Sequence, residues 1–262
     1  MQAFILLPLA KTVHCKLGYF LVLHVGLYLL RSFFRVTLII DVFPQREHVL
    51  LIVFLIYHEI NIKANMSGIE SKIFIYIVIV FSSIVHEYCH AWAAFAQGDH
   101  TAKNEGRLTL NPIPHLDLYG TVIIPLFFLF FANGFIGWAK PVPINPYNFK
   151  NQKWGLFLVS LAGPASNLFI ALILGLFLRF SLFPFLFVPF FYITYINIFL
   201  ALFNLIPMPP LDGSKLLMNK FPKLEEKFGR SFIGTFIALA IAITILPSIT
   251  NFIFTLLTGQ TT

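Results

Sequence analysis

Residues 86–90 read His-Glu-Tyr-Cys-His. On a helix, side chains four apart lie on one face. His86 and His90 can therefore offer two imidazole nitrogens to a single zinc ion, while Glu87, rotated to one side, can take a proton from a zinc-bound water. This division of labour is the physical content of the HExxH pattern of metalloproteases. The pattern also arises by chance, as a polar face packed against other helices. Its setting argues against chance: the three ionisable groups sit inside an apolar run, where such groups are costly in lipid and functional by default. Cys89 falls near the same face and reads as a small packing residue, because a fourth protein ligand would close the site to water.

A catalytic zinc needs three protein ligands and an open position. The third must be a remote His, Glu or Asp, and the candidate is Asp212, in the stretch Asn204-Leu-Ile-Pro-Met-Pro-Pro-Leu-Asp-Gly213. Pro207, Pro209 and Pro210 break a helix, and the expectation is an extended stretch that presents Asp212 from irregular backbone. Taken alone, Asp212-Gly213 is also an ordinary surface turn. His115 and Asp117 are candidates to bond a metal-bound imidazole from behind, or equally to cap a loop.

These residues must be held by elements that suit lipid. Of 262 residues, 58% are hydrophobic and 11% charged, against about 25% charged in soluble domains. Helical spans need roughly 20 apolar residues. Five apolar segments stand out, at about 73–96, 118–133, 154–178, 186–206 and 231–257, with a break at Ser181–Pro184 and a kink expected at Pro247. The net charge of +7 lies in short loops, which reads as topology signalling and not as a nucleic-acid surface. Cys15 and Cys89 give no disulfide framework. The fold expected is an all-α polytopic membrane bundle.

Residues 1–65 differ. Leu17–Leu30 and Val49–Tyr57 are short for spans, and Arg31, Arg35 and Arg46 punctuate the region. Two readings stand: extra membrane segments, or an extension upstream of a start at Met66. The domain expected to carry the chemistry is 66–262.

Together the motifs resemble the site-2 protease family of intramembrane zinc metalloproteases, in its small bacterial branch without PDZ or CBS modules. The resemblance rests on His86–His90, on Gly163-Pro-Ala-Ser-Asn167 and on Asn204–Gly213, with echoes in Asn111–Asp117 and Gly137–Pro143. It implies one zinc ion ligated by His86, His90 and Asp212, with Glu87 as general base and Asn204 steadying the oxyanion. It also implies an endopeptidase whose partners are a transmembrane protein substrate and the bilayer. Asn167 reads as helix packing beside the small residues Gly163, Ala165 and Ser166, or as a second oxyanion donor. The alternatives are an inactive relative acting as a membrane binding protein, and a metal or proton transporter using the same ligands. Transporters often show repeated halves, and the sequence has none.

Parity adds a constraint. If segments 118–133, 154–178 and 186–206 all crossed the membrane, Asp212 would emerge on the side away from the zinc. The segment 118–149, interrupted by Pro125, Gly134, Gly137, Pro141 and Pro143, is therefore expected to enter and return on one side, as a re-entrant loop or β-hairpin. Its Gly134–Pro146 part could offer an edge to an unwound substrate. That side then carries Lys103, Arg107, Lys140, Lys150, Lys153 and the basic residues from Lys215 to Arg230. The positive-inside rule makes it the cytoplasm. The expected location is the cell membrane, with the active site nearer the cytoplasmic face.

All matched motifs lie after Met66. The chain begun at Met66 is therefore expected to insert, bind zinc and cleave the same substrate as the full chain. Activity compared at equal membrane expression checks this, and loss of zinc or cleavage from a normally inserted protein would place residues 1–65 in the catalytic core.

Overall fold

The structure is a computed structural model, and it describes residues 69–131, 139–209, 211–218, 240–242 and 244–260. All of these belong to one compact unit, His48–Thr262. The expectations for residues 1–65 and a start at Met66 fall outside the described residues. So does the stretch 132–138, which contains Gly134 and Gly137.

The described residues are helical, with no β-strand among them. In chain order the α-helices are α1 (Ile69–Ala96), α2 (Thr101–Asn104), α3 (Ile124–Phe131), α4 (Gly155–Arg179), α5 (Phe187–Asn204), α6 (Asp212–Met218) and α7 (Leu246–Thr258). Three stretches are long and apolar enough to cross a membrane: Ser71–Ala96, Gly155–Arg179 and Pro184–Asn204. The chain is a multi-pass membrane protein. Its core is built where α1, α4, α5 and α7 meet, from Ile75 and Ile79, Ala171 and Leu178, Ile196 and Phe199, and Phe254. Other large apolar side chains point outward: Phe81, Phe169, Phe180 and Phe252 are more than half exposed. Water would penalise that surface, and lipid does not.

Polar residues run the other way. Ser82, His86, His90, Asn167 and Asn197 all lie inside the bundle. Their contacts fix the helix directions. Val159, Gly163 and Asn167 of α4 meet His90 and His86 of α1 in reverse order, so α1 and α4 are antiparallel. On α5, Asn197 meets Ser82, and Asp212 beyond its end meets His86 and His90, so α5 runs parallel to α1. The connection from α1 to α4 thus starts and finishes at one end of the bundle. The Lys150 amide, just before α4, donates to the Gln97 carbonyl, just after α1, at 2.6 Å.

Within that connection Leu118–Ile123 forms a π-helical turn that passes into α3. Asp117 caps it, accepting from the amides of Tyr119 and Gly120. The widening has a cause in the sequence. Pro125 cannot donate to the carbonyl of residue 121, and its ring needs room there. The Tyr76 hydroxyl of α1 donates to that Thr121 carbonyl instead. A proline defect in one segment thereby becomes a tie to the helix beside it.

The expected break between the third and fourth segments appears as Ser181 with φ 49° and a 3-10 turn at Pro184–Leu186. In the fifth segment the discontinuity falls at Ile245. Pro247 lies in the first turn of α7, where its missing N–H removes no helical bond.

Asp99 secures the return of the connection. Its buried carboxylate accepts from the amide and hydroxyl of Thr101, the amide of Asn145 and the side chain of Asn148. Burial pushes this carboxyl up, and the bonds from Thr101, Asn145 and Asn148 outweigh it, so the group lies below its ordinary value of 3.8. A depressed native value stabilises the fold above the unfolded value, and that contribution is lost as pH falls through the native one. Asp99→Ala should cost about 2–3 kcal/mol at neutral pH. The gap in melting temperature between the two proteins should then close as pH drops below about 4. A gap that stays constant with pH would mean that the ionised carboxylate is not what holds the connection.

Candidate metal centre

Two helical turns and one tight corner assemble the site. His86 and His90 share a face of α1, their rings edge to face with centroids 4.6 Å apart. Asp212 opens α6, behind the proline-rich corner that follows α5. That corner is turned where the proline count suggested extended backbone. Met208 donates to the Ile206 carbonyl and Leu211 to that of Met208. Proline's fixed φ suits tight turns as well as extended chain. Gly213 permits the return: a Cβ there would stand 2.3 Å from the Leu205 carbonyl oxygen and 2.5 Å from that of Ile206. Any larger residue would push Asp212 away from the histidines.

Three donor atoms converge. Asp212 Oδ2 lies 3.1 Å from His86 Nε2 and 2.9 Å from His90 Nε2, and the two Nε2 atoms are 3.0 Å apart. All three residues are buried. The opposite ring nitrogens decide what these atoms carry. His90 Nδ1 is 2.7 Å from the Val159 carbonyl oxygen, which only accepts, so Nδ1 holds a proton and in the neutral imidazole Nε2 carries the lone pair. His86 Nδ1 is 2.7 Å from Asn167 Oδ1, an arrangement with the same result. Two lone pairs and a carboxylate oxygen therefore point at one place and repel unless a cation sits between them. A tetrahedral zinc with bonds of about 2.0–2.1 Å spaces neighbouring ligand atoms about 3.3–3.4 Å apart. The observed spacing needs only a few tenths of an ångström of widening, so the donor set fits zinc.

The other oxygen of Asp212 accepts from Lys215 Nζ at 3.0 Å, which leaves Oδ2 for the histidines. Glu87 stands beside the three donors in sequence but is not one of them: its Oε2 accepts from the Val142 amide at 2.8 Å. Asn204 ends α5, and its Nδ2 donates to the Leu200 carbonyl of its own helix. Asp117 serves as the helix cap described above. His115 is fully buried, with Nε2 donating to the Thr109 carbonyl. Asn167, for which helix packing was the favoured reading, is instead the hydrogen-bond partner of His86. Asn167 lies four residues after Gly163 and hence on the same face of α4, and only the structure shows that this face meets the histidines. Val159 was invisible to sequence reasoning, since it acts through its backbone.

Residues 184–247 match the family model described as Peptidase family M50. The chain is 42% identical over 160 residues to the Bacillus subtilis protein named "Putative zinc metalloprotease YwhC", an alignment covering 57% of this chain and 69% of that one. The chain belongs to peptidase family M50. Two mycobacterial relatives, each named "Putative zinc metalloprotease Rip2", match at 30% identity in Mycolicibacterium smegmatis and 32% in Mycobacterium tuberculosis. About half of this chain and about half of each Rip2 protein are aligned. No solved structure gives a significant match.

In this M50 chain the backbone of α4 walls one side of the site. A Cβ on Gly163 would meet His90 Nε2 at 2.3 Å and His86 Nε2 at 2.6 Å. Gly163→Ala improves helix propensity by roughly 1 kcal/mol but places a methyl group against both imidazoles. The purified variant should remain helical and lose most of its zinc, measured by elemental analysis against the unaltered protein. Full zinc content would show that the histidines do not meet where the structure puts them.

Proposed function

We propose that this M50 zinc metalloprotease is an intramembrane endopeptidase that cuts transmembrane protein substrates near the cytoplasmic face. One observation carries the reading: two imidazole lone pairs and a carboxylate oxygen converge inside an apolar bundle with Glu87 next to them. His86, His90 and Asp212 would hold one zinc ion. Zinc bound there supplies a Lewis acid that polarises a scissile carbonyl and acidifies water.

Glu87 takes the proton of the attacking water and passes it to the leaving amine. The Val142 amide restrains the carboxylate by holding Oε2, leaving the other oxygen as the one that moves the proton. Val159 and Asn167 hold the proton of each imidazole on Nδ1 and keep the two rings aimed. Burial excludes bulk water, which strengthens every charge interaction in the site. Asn204 has one amide hydrogen committed to Leu200, and its second is the one proposed to steady the developing oxyanion.

A substrate helix must unwind to expose a peptide bond. Residues 139–145, which lie outside any helix, are the segment proposed to supply an edge for it by strand addition. This edge is already anchored: the amides of Lys140, Val142 and Asn145 bond to His115, Glu87 and Asp99. Arg107 donates to the carbonyls of Lys140 and Pro141. The carbonyls of Val142–Ile144 and the Ile144 amide are the groups assigned to the substrate. The orientation follows from the lysines and arginines at the α1–α4 connection. The re-entrant placement of 118–149 and a catalytic domain spanning 66–262 belong to the same proposal.

The test uses detergent-purified protein and a panel of single-span membrane proteins, with and without a zinc chelator. Cleavage should require zinc. Glu87→Gln should keep full zinc content and lose cleavage by at least about 100-fold. Undiminished cleavage by that variant would remove Glu87 from the mechanism, and cleavage that survives complete zinc removal would overturn the whole reading.

A further inference from the structure

Asn197 sits in the middle of α5, inside an apolar stretch with no motif around it. It is fully buried. Its Nδ2 donates to the Ile193 carbonyl at 2.8 Å and to Ser82 Oγ at 3.0 Å. Its Oδ1 accepts from Asn167 Nδ2 at 2.8 Å. Asn167 Oδ1 in turn faces His86 Nδ1 at 2.7 Å. The chain of bonds therefore runs from α5 through α4 to the imidazole on α1.

Every bond in this chain has a direction, and one end of it is fixed. The Ile193 carbonyl can only accept, so Asn197 must turn its NH2 group towards it. That leaves the Asn197 oxygen facing Asn167, which must answer with its own NH2 group. The Asn167 oxygen then faces His86, whose Nδ1 must carry the proton. The lone pair of His86 is thereby forced onto Nε2, towards His90 and Asp212. A second restraint on Asn167, the Ser82 carbonyl at 3.3 Å from Nδ2, is long for a hydrogen bond and would hold the amide weakly by itself. His90 needs no such chain, because its Nδ1 meets a backbone carbonyl directly.

We propose that Asn197 is a positioning residue of the metal centre, setting the tautomer of His86 through the amide of Asn167. The proposal rests on His86 being a zinc ligand. A free imidazole can protonate either ring nitrogen, and the wrong choice puts a proton where the ion must sit. Without Asn197 the Asn167 amide can flip and offer its NH2 group to His86. That inverts the bond and moves the lone pair to Nδ1, on the side away from the ion. A plain packing role for Asn197, as a polar tie between membrane helices, would leave zinc affinity untouched.

The experiment measures zinc affinity of the full-length protein in detergent by competition with a chelator, for Asn197→Leu, Asn167→Leu and the double variant. Melting of the zinc-free form is followed in parallel. Asn197→Leu should weaken zinc binding by roughly tenfold or more. The double variant should bind no worse than Asn167→Leu alone, since both act on one imidazole. Histidine nitrogen NMR of the zinc-free Asn197→Leu protein should show a Nε2-protonated tautomer at His86 that the unaltered protein lacks. Unchanged zinc affinity in Asn197→Leu overturns the proposal, as does a double variant in which the two losses add in full. If Asn197→Leu does not fold, Asn197→Ala carries the same expectation, because it too removes the acceptor that orients the Asn167 amide. His86→Ala tells the two failures apart: zinc affinity unchanged by that substitution removes His86 as a ligand and the underlying reading with it.

Discussion

Three atoms that all carry lone pairs cannot share a space about 3 Å across without positive charge between them. That constraint sets the structure of this protein. The convergence of His86, His90 and Asp212 is enforced from behind, by a backbone carbonyl at one histidine, an amide at the other and a lysine at the carboxylate. All three residues are buried, so bulk solvent screens the repulsion poorly. The helices around the site are arranged so that each delivers one part of this enforcement. α1 brings the imidazoles, α4 brings their partners, and α5 with its corner brings the carboxylate.

Close approach is the second demand. α4 can press its backbone against the imidazoles only because residue 163 has no side chain. The corner after α5 can fold back only because residue 213 has none. Both glycines serve the same distance from opposite sides. The helix order follows, since α4 must run against α1 to place Val159 under His90 and Asn167 under His86. The connection between these two helices is then obliged to leave and return at one end. Pro125, the π-helical turn and the Tyr76 bond to Thr121 show how an apolar segment in that connection is tied to α1 despite its broken ladder.

Much of this was legible in the sequence. Spacing of four placed His86 and His90 on one face, and the run of prolines before Asp212 marked the end of the fourth apolar segment. The connection from α1 to α4 begins and ends at one end of the bundle, which supports the proposed re-entrant placement of 118–149. What was not legible had physical reasons. The Val159 carbonyl has no residue-type signature. Asn167 was visible but ambiguous, because small neighbours make packing the simpler reading. Asn197 and Ser82 are single polar residues within long apolar runs, and no local pattern says which helix they will face. The corner itself was misjudged in shape, since proline permits turns as readily as extension.

The residues between Lys140 and Lys150 are joined to α1 and to the turn that follows it: Val142 to Glu87 in the helix, Lys150 to Gln97 and Asn145 to Asp99 just beyond its end. Mechanically this stretch and the helix bearing the histidines form one piece. A flap must swing, and this stretch cannot swing without tearing a buried carboxylate from two of its four donors, the Asn145 amide and the Asn148 side chain. It has the character of a rail and not of a lid. A chain laid along it would be guided past the three donors at a constant offset, set by the bond between Val142 and Glu87. On the proposed reading, a substrate enters from across the rail, while the rail keeps its place.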